Sequence, residues 1–255
     1  MRLREKVAIV TGAATGIGRA IALAFAREGA AVAVDYVVRP DAAAEVVHEV
    51  ERAGGRAAAI QADVTKRADV RRLVRQTVER FGGLDVLVNN AGVETKYAFL
   101  DLPHDEWEHQ LAVDLTGPFM GAQEAARVMV AHGTHGRIIN ISSVHEDLPM
   151  PQNAAYCAAK GGLRMLMRTI ADELAAHQIT VNNIAPGAID TPMDAALKQH
   201  PDQMRALLDE IPLGRMGQPD EVAELAVYLA SDAAAYCTGS TYVIDGGLMR
   251  YAKSL

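Results

Sequence analysis

The sequence has few cysteines and few aromatic residues. Its two cysteines, Cys157 and Cys237, lie far apart and belong to no Cys-x-x-Cys or Cys/His cluster, so we expect buried free thiols and neither a disulfide nor a metal site. Aromatic residues make up 5% of the chain, whereas hydrophobic residues make up 50%. The core must therefore consist mainly of Ala, Val, Ile and Leu, which is typical of a parallel sheet covered by helices.

The chain also lacks a block of basic residues and a long apolar run. Its 25 Lys and Arg residues against 32 Asp and Glu residues leave a formal charge of −7. Without a basic cluster that could follow a phosphate backbone, we expect no nucleic-acid partner. The charged residues 1–6 precede an apolar segment, 7–10, that is too short for a signal sequence or a membrane span. We therefore expect a cytoplasmic protein without a membrane partner.

Short β-branched segments alternate with longer segments whose apolar residues have helical spacing. The pattern predicts strands at 7–10, 31–34, 57–60, 86–88, 137–141, 179–183 and 242–244. It predicts helices at 18–28, 42–53, 70–81, 105–131, 154–177 and 220–229. Strict alternation indicates right-handed crossovers, and thus a single doubly wound α/β domain over residues 1–255. We expect a Rossmann-type parallel sheet of seven strands with helices on both faces. Ligands of such sheets bind at the carboxyl ends of the strands.

One segment, 191–216, interrupts the alternation of strands and helices. It contains four residues that break regular structure, namely Pro192, Pro201, Pro212 and Gly214. We expect this segment to be the substrate lid, although an ordinary surface excursion would have the same composition.

A glycine-rich segment, residues 11–18, lies between the first predicted strand and the first predicted helix. Glycines remove the Cβ atoms that would block a pyrophosphate, and the free N–H groups of a helix start attract its charge. Three residues separate the first two glycines, in place of the single residue of the common fingerprint. The order of strand, glycines and helix predicts a dinucleotide site formed by Gly12, Thr15, Gly16, Ile17 and Gly18.

Two further turns follow predicted strands and fit the same ligand. Asp63 and Val64 come after the third strand, where the carboxylate could hold an adenine amino group; a cap for the following helix is the alternative. Asn90, Ala91 and Gly92 come after the fourth strand, in a polar turn whose backbone can pass close to a cofactor. A plain turn is the alternative for that segment.

Tyr156 and Lys160 lie four residues apart in a predicted helix, so their side chains share one face. Lowering the pKa of a phenol from about 10 to about 7 requires roughly 4 kcal/mol of preference for the phenolate. A neighbouring ammonium contributes with the right sign, as does a positively charged nicotinamide. We therefore predict that Tyr156 is the general base of alcohol oxidation and the general acid of the reverse reaction. Ser143, at the end of the fifth predicted strand, is predicted to hold the substrate oxygen.

Together these motifs resemble those of the classical short-chain dehydrogenase/reductase family over essentially the whole chain. The matching residues are 11–18, Asp63, 89–92, Ser143, Tyr156, Lys160 and 186–191. The resemblance implies an NAD(P)-dependent oxidoreductase in which the Tyr is the acid/base, the Lys holds the nicotinamide ribose and the Ser orients the substrate. It implies a homotetramer packed through the two longest helices. It also implies a nicotinamide site formed by Pro186, Gly187, Ile189 and Thr191, of which Ile189 and Thr191 contact the carboxamide.

Within the family, the sequence is most similar to bacterial glucose 1-dehydrogenases. The similarity includes residues 89–94, 141–146, 186–189 and 191–192, and its informative members are Glu94 and His145. A carboxylate and an imidazole beside the catalytic Ser suit a polyol, because sugar hydroxyls need several acceptors and donors in a small polar pocket. We expect Glu94 and His145 to bind substrate together with Ser143 and Tyr156; the alternative is that both face solvent or cap loops.

Two departures from the family pattern affect this interpretation. The family usually has an Asn in the long helix, where it holds a water in a proton relay to the Lys; this chain has Asp114, which we expect to take the relay position. In the second departure, Val37 replaces the Arg that pairs with the 2′-phosphate in NADP-using glucose dehydrogenases. That replacement, together with Asp35, favours NAD. Arg39 could compensate, so NADP stays open.

The leading hypothesis is an NAD(P)-dependent oxidoreductase acting on a secondary alcohol or carbonyl, and specifically on an aldose at C1. Reduction of a 3-oxoacyl thioester or another carbonyl is the alternative, because the same catalytic residues serve those substrates and only the pocket differs. A third possibility, motivated by Asp114, is a nucleotide-binding protein that has lost turnover.

Overall fold

The computed structural model describes residues 1–192 and 199–250, and in this part of the chain seven strands form one parallel sheet. The strands run in the spatial order β3-β2-β1-β4-β5-β6-β7. Their bounds are β1 Val7–Val10, β2 Ala31–Tyr36, β3 Arg56–Gln61, β4 Val86–Asn89, β5 Arg137–Ile141, β6 Thr180–Pro186 and β7 Thr241–Ile244. The doubly wound parallel sheet predicted from the alternating pattern is confirmed.

The described residues form eight α-helices, six of which cover the two faces of the sheet. Their bounds are α1 Gly16–Arg27, α2 Pro40–Arg52, α3 Arg67–Phe81, α4 His104–Leu111, α5 Gly117–His132, α6 Ala154–Ala175, α7 Pro201–Glu210 and α8 Pro219–Ala230. Helices α1, α2 and α8 bury one core, in which Phe25 and Ile21 are fully enclosed. Helices α3, α5 and α6 bury the other, around Met129 and Met167. Because β1 is covered on both faces, all four of its residues are buried.

The strand order reverses between β1 and β4, since β2 and β3 lie on one side of β1 while β4 to β7 extend on the other. At such a point the connections leave in opposite directions and open a crevice at the carboxyl ends of the strands. The phosphate loop follows β1, and the turn 89–92 begins at the end of β4. Both motifs therefore border this crevice.

The long helix predicted at 105–131 is in fact two helices. Helix α4 ends at Leu111, one π-helical turn spans Ala112–Thr116, and α5 begins at Gly117. Pro118 explains the interruption, because it has no N–H to donate to the carbonyl of Asp114 four residues earlier. Asp114 therefore lies within the π-helical turn, and such turns are frequently found at functional sites.

The proline-rich segment 191–216 contains a helix that its composition did not predict. Helix α7 begins at Pro201, a position suited to a proline at a helix start. Residues 193–198, part of the predicted lid, lie outside the described residues. No helix in the described part of the chain is long and apolar enough to cross a membrane. Cys157 and Cys237 are free thiols, half-buried where burial was expected.

Candidate active site

The phosphate loop is shaped by close approaches that only glycine permits. Gly12 has a φ of 61°, in the left-handed region. A Cβ atom on Gly18 would lie 2.4 Å from the Asn90 amide nitrogen and 2.5 Å from the Gly12 carbonyl oxygen. The loop is thus packed directly against the turn after β4, and any larger residue at position 18 would separate the two.

Thr11 joins the loop to that turn. Its hydroxyl oxygen accepts hydrogen bonds from the backbone N–H groups of Asn90, at 2.9 Å, and Ala91, at 3.0 Å. In return the Asn90 amide donates to the carbonyl oxygens of Thr11, at 2.8 Å, and Gly12, at 3.2 Å. Sequence reasoning assigned no role to Thr11. Its position at the end of β1, beside β4 in the sheet, was the signal that could have revealed this link.

The start of α1 fits a bound pyrophosphate. Thr15 is the N-cap residue and has an extended backbone, but its side chain makes no capping hydrogen bond, and the first turn contains no acidic residue. The N–H groups of this turn therefore have no side-chain acceptor in the described structure. Because a helix start carries partial positive charge, it is a suitable site for phosphate oxygens. Gly16 and Ile17 lie in this first turn.

The segment after β6 reaches the other side of the same loop. The Gly187 N–H donates to the Ile244 carbonyl at 2.9 Å, and a Cβ atom at Gly187 would meet Asp245 at 2.8 Å. Ile189 is buried and forms an isolated parallel bridge with Gly217. A Cβ atom on Gly16 would lie 3.7 Å from Cβ of Thr191. The structure thus brings the predicted phosphate and nicotinamide segments together.

Asp35 lies beneath the phosphate loop and is fully buried. Its Oδ2 atom accepts a hydrogen bond from the Gly12 N–H at 3.2 Å. Burial raises the pKa of Asp35 to about 7, although backbone N–H groups of Gly12, Ala62 and Tyr36 act in the opposite direction. The carboxyl group contacts the loop, and its predicted contact with a cofactor ribose stays a prediction.

Asp63 is engaged by its own turn. Its Oδ1 atom accepts from the backbone N–H of Thr65 at 3.0 Å and from the Thr65 hydroxyl at 2.6 Å, and Oδ2 lies 3.1 Å from the Lys66 ammonium. Burial raises the pKa of Asp63, but these partners outweigh burial and leave the pKa lowered. Asp63 therefore closes the turn before α3, but it does not cap that helix, whose N-cap residue is Lys66 and has no side-chain cap hydrogen bond. Val64, beside it, is buried, and the adenine contact stays a prediction.

Ser143, Tyr156 and Lys160 meet at the carboxyl end of β5. Ser143 follows β5, and its Oγ atom accepts from the His145 N–H at 3.2 Å. Tyr156 and Lys160 lie on one face of α6, with the Lys160 ammonium 5.4 Å from the centre of the Tyr156 ring. That ammonium donates to the Ile141 carbonyl at 3.2 Å and is buried. The predicted catalytic residues are therefore assembled in one place.

Opposing influences act on the Tyr156 phenol. Burial raises its pKa; the Lys160 charge and a hydrogen bond with Ser143 lower it. The charges of Asp114 and Glu94 raise it further, and the balance is a raised pKa. The ammonium acts in the direction expected from the sequence, but the chain alone does not lower the pKa of Tyr156. The positive charge of an oxidised nicotinamide would add to the lowering influences.

Asp114 forms an ion pair with Lys160. Its Oδ1 atom lies 3.0 Å from the Lys160 ammonium. Its Oδ2 atom accepts from the Gln110 amide at 2.6 Å and from the Val93 N–H at 3.2 Å. Gln110 was not singled out in the sequence, although it lies one helical turn before Asp114 and the pair could have been read from that spacing. Its amide also donates to the Val93 carbonyl at 2.6 Å.

The two predicted substrate ligands flank the tyrosine. The His145 ring lies edge-to-face with the Tyr156 ring, at 6.4 Å between centres, and its Nδ1 atom is 3.2 Å from the Leu148 carbonyl. Since a carbonyl only accepts, Nδ1 carries the hydrogen, and Nε2 of the neutral ring is an acceptor. Glu94 is half-buried, pairs with Lys96 at 3.3 Å and is close enough to act on the pKa of Tyr156.

Comparison with known proteins identifies the family. The family model described as enoyl-(acyl carrier protein) reductase matches residues 12–249. The chain is 43% identical to 3beta-hydroxysteroid dehydrogenase 1 of Eggerthella lenta, covering 98% of this chain and 95% of the relative. It is 39% identical to glucose 1-dehydrogenase 2 of Bacillus subtilis, covering 99% and 98%. It is 42% identical to 3-oxoacyl-[acyl-carrier-protein] reductase of Synechocystis, covering 98% and 99%.

Solved structures agree with these relatives. A short-chain type dehydrogenase/reductase from Mycobacterium marinum superimposes with a TM-score of 0.92 at 42% identity, covering 98% of this chain and 97% of that one. A protein from Beutenbergia cavernae, described as an NAD(P)-dependent gluconate 5-dehydrogenase with bound NADP, gives a TM-score of 0.92 at 35% identity and covers 98% of both chains. The chain is thus a member of the short-chain dehydrogenase/reductase family and an oxidoreductase that uses a nicotinamide cofactor.

Proposed function

We propose that the enzyme oxidises an aldose, such as glucose, at C1. The placement of Glu94 and His145 beside Tyr156 carries this proposal. A carboxylate and an imidazole acceptor can accept hydrogen bonds from the hydroxyl groups of a sugar, while the C1 hydroxyl faces the Tyr156 phenol. The similarity to a glucose 1-dehydrogenase over 99% of the chain supports the same substrate class.

The catalytic residues divide the chemistry of this reaction between them. When bound, the oxidised nicotinamide supplies the acceptor for the hydride that leaves C1. Tyr156 takes the proton of the C1 hydroxyl at its phenolic oxygen, and the C1–O bond becomes the carbonyl of a lactone. Ser143 accepts from the His145 N–H, so its own hydroxyl hydrogen can be donated to the substrate oxygen. Lys160 supplies the positive charge that favours the phenolate.

We propose NAD as the preferred cofactor. Position 37, where an Arg would pair with a 2′-phosphate, holds the exposed Val37, and the carboxyl group of Asp35 lies under the adjacent loop. A phosphate placed near an ionised Asp35 would be repelled, whereas ribose hydroxyls would not. Arg39 is exposed and two residues further along, so NADP is the competing outcome of the cofactor test.

The alternative substrate is a 3-oxoacyl thioester. The 42% identity to a 3-oxoacyl-[acyl-carrier-protein] reductase favours it, because the same catalytic residues can donate a proton to a carbonyl. The half-buried carboxylate of Glu94 is a poor neighbour for an acyl chain, and the chain's formal charge of −7 opposes an acidic carrier protein. Glu94 therefore favours the sugar.

We also propose the homotetramer implied by the resemblance. Helices α5 and α6 border an apolar groove of about 470 Å³, lined by Phe119, Ala122, Ala126, Val130, Ile170 and Leu174. Phe119 and Val130 are about two-fifths exposed, and such apolar surface favours association. The same pair of helices on a second copy is a suitable partner for the groove. Light scattering of the purified protein will measure its mass in solution.

Initial rates with NAD and NADP against aldoses, polyols, 3β-hydroxysteroids and acetoacetyl thioesters test the substrate. We expect aldoses to have the highest kcat/KM. Glu94→Gln and His145→Ala should each raise KM for the aldose about tenfold, the loss of roughly one hydrogen bond to a charged or polar partner. A simple secondary alcohol, which lacks the further hydroxyls, is the matched control and should change little.

Two outcomes would contradict the sugar assignment. Faster turnover of the thioester or the steroid than of any aldose would assign the enzyme to that substrate class. Tight cofactor binding without turnover of any compound would support the hypothesis of a nucleotide-binding protein that has lost turnover.

We propose that the segment 191–216 is the substrate lid. Helix α7 is the helix of this segment that the structure describes.

A further inference from the structure

A row of polar side chains crosses four neighbouring strands below the active site. Asn89 of β4 is in register with Asn140 of β5, which is in register with Asn183 of β6, which is in register with Thr241 of β7. Residues in register on paired strands point to the same face of a sheet. The Asn89 amide donates to the Asn140 amide oxygen at 2.9 Å, and the Asn140 amide donates to Asn183 at 2.9 Å.

Glu146 is the acceptor at which this row ends. Its Oε2 atom accepts from the Asn183 amide at 3.0 Å and from the Ser142 hydroxyl at 2.6 Å. Its Oε1 atom accepts from the Thr241 hydroxyl at 2.6 Å. The Glu146 side chain is 1% exposed, so these bonds replace water almost completely. Hydrogen bonds to a carboxylate are short and strong, and a chain of them polarises each member.

The same carboxylate faces the catalytic helix. Its Oε1 atom lies 3.6 Å from Nε of Arg164, which also pairs with Asp147. Arg164 follows Lys160 by four residues, as Lys160 follows Tyr156, so the three side chains share one face of α6. Glu146 thus connects β6, β7 and the residue after β5 to the helix face that carries Tyr156.

Glu146 lies on the loop that carries two of the predicted active-site residues. Ser143 and His145 lie on the loop between β5 and α6, whereas Tyr156 lies on α6 itself. Catalytic groups on different elements must keep their relative positions within a fraction of an ångström, and a loop does not do this unaided. Glu146 is on the same loop, immediately after His145, and it is the residue that anchors the loop to both β7 and α6.

We propose that Glu146 is a positioning residue of the active site, whose buried carboxylate holds the loop with Ser143 and His145 against the Tyr156 helix. Because its side chain is 1% exposed and bonds to protein side chains, we expect it to touch neither substrate nor cofactor. The proposal rests on the oxidoreductase activity but not on the sugar assignment. Any alcohol or carbonyl compound that the wild-type enzyme turns over can be used to test it.

Glu146→Gln is the first test. The amide keeps the size of the side chain but turns one acceptor into a donor, which then faces the donors Ser142, Asn183 or Thr241. We expect kcat to fall at least about tenfold, while the dissociation constant of NADH, measured by fluorescence titration, stays within about threefold of wild type. At a temperature well below the melting transition, a substitution that only weakened the fold would not lower kcat while leaving the affinity for NADH unchanged.

Asp147→Asn is the matched control. It removes a carboxylate from the same loop and from the same arginine, but Asp147 is exposed and makes no hydrogen bond to the strand row. Its kcat should stay within about twofold of wild type. An equal loss of kcat in both variants would assign the effect to Arg164 or to loop charge and overturn the proposal.

Thr241→Val gives a milder test should Glu146→Gln not fold. It removes one donor from the carboxylate and conserves the shape of the side chain, on a strand remote in sequence from the loop. We expect kcat to fall about threefold to tenfold with NADH binding unchanged. Wild-type kcat in this variant, or kcat within about threefold of wild type in a folded Glu146→Gln, would overturn the proposal.

A crystal structure of the variant gives a readout that needs no substrate. In Glu146→Gln with bound cofactor we expect Ser143 Oγ to move away from Tyr156 by about 1 Å or to occupy two positions. An unmoved Ser143 would overturn the positioning role even if activity were lost. Failure of the sugar assignment would leave this measurement unaffected, so the two proposals are tested separately.

Discussion

The Asp114 carboxylate lies 3.0 Å from the Lys160 ammonium, and the two side chains are 0% and 6% exposed. A buried charge is costly without a partner, so this pair stabilises the protonated form of Lys160. By itself, burial lowers the pKa of Lys160. Asp114, and to a lesser degree the Tyr156 hydroxyl, raise it, and the balance is a raised pKa. Asp114, which we predict to take the relay position, therefore forms a direct ion pair with Lys160.

Asp114→Asn should change the pH dependence of alcohol oxidation. Burial is the largest cause of the raised pKa of Tyr156, and the negative charge of Asp114 raises this pKa further. Neutralising Asp114 therefore favours the phenolate. We expect the acid limb of kcat/KM to move to lower pH, with turnover near neutrality maintained or raised. Rates against pH at saturating cofactor measure this. Glu108→Gln, which removes an exposed carboxylate from α4, is the control; a profile that stays in place or moves to higher pH would contradict the prediction.

Tyr156→Phe should abolish turnover and leave cofactor binding intact. General acid–base catalysis by a positioned side chain contributes about 10²- to 10⁴-fold, so we expect kcat to fall by roughly that factor. NADH affinity should stay within a few-fold, because the ring itself is retained. The exposed Tyr236 provides the control variant Tyr236→Phe, which should behave as wild type. More than about a tenth of the wild-type rate in Tyr156→Phe would refute the assignment.

Asp35→Asn should stabilise the protein in a pH-dependent way. The pKa of Asp35 is raised from 3.8 to about 7 in the folded chain. Its stabilising contribution is complete below the unfolded value and is lost as the pH rises toward the folded value. At pH 8 the Asn variant should therefore have a higher free energy of unfolding than wild type, by up to roughly 4 kcal/mol.

Urea unfolding of both proteins between pH 4 and pH 8 measures this difference, which should shrink toward pH 4. The Asn side chain can still accept from the Gly12 N–H, so the phosphate loop keeps its contact. Asp41→Asn removes an exposed carboxylate near the start of α2 and should give a small offset independent of pH. A pH-independent difference for Asp35→Asn as well would show that the carboxyl group does not titrate near 7.

Val37→Arg should raise kcat/KM for NADP relative to NAD. A 2′-phosphate near an unpaired carboxylate costs on the order of 1 to 4 kcal/mol, and an arginine at this exposed position supplies the opposite charge. Steady-state kinetics with both cofactors measure the change, and Val38→Arg, also exposed, tests whether position matters. A wild-type preference for NADP of more than about tenfold would identify Arg39 as the phosphate ligand and contradict the NAD assignment.

The order of elements and the shared helical face of Tyr156 and Lys160 could be predicted from the sequence because both depend on short-range patterns. Apolar periodicity distinguishes strands from helices, and strict alternation leaves a parallel sheet as the solution. The spacing of Tyr156 and Lys160 puts both on one helical face whatever surrounds them. The predicted boundaries were less accurate, since β6 continues to Pro186, three residues beyond the predicted end, and the ends of elements are the least sharply defined part of a helix or strand. Helix α7 was not predicted, because the prolines around it indicated irregular structure.

The sequence alone determined the doubly wound fold and the place of the glycine-rich loop between β1 and α1, and it predicted that Ser143, Tyr156 and Lys160 meet. Only the tertiary structure decided which charges meet. Asp114 reaches Lys160 because the π-helical turn that contains it packs against α6, and Glu146 reaches Thr241 because β7 lies beside β6 in the sheet. Such contacts join residues 46 and 95 positions apart, and no local pattern encodes them. The burial that raises the pKa of Asp35 and Tyr156 likewise arises only when the layers pack together.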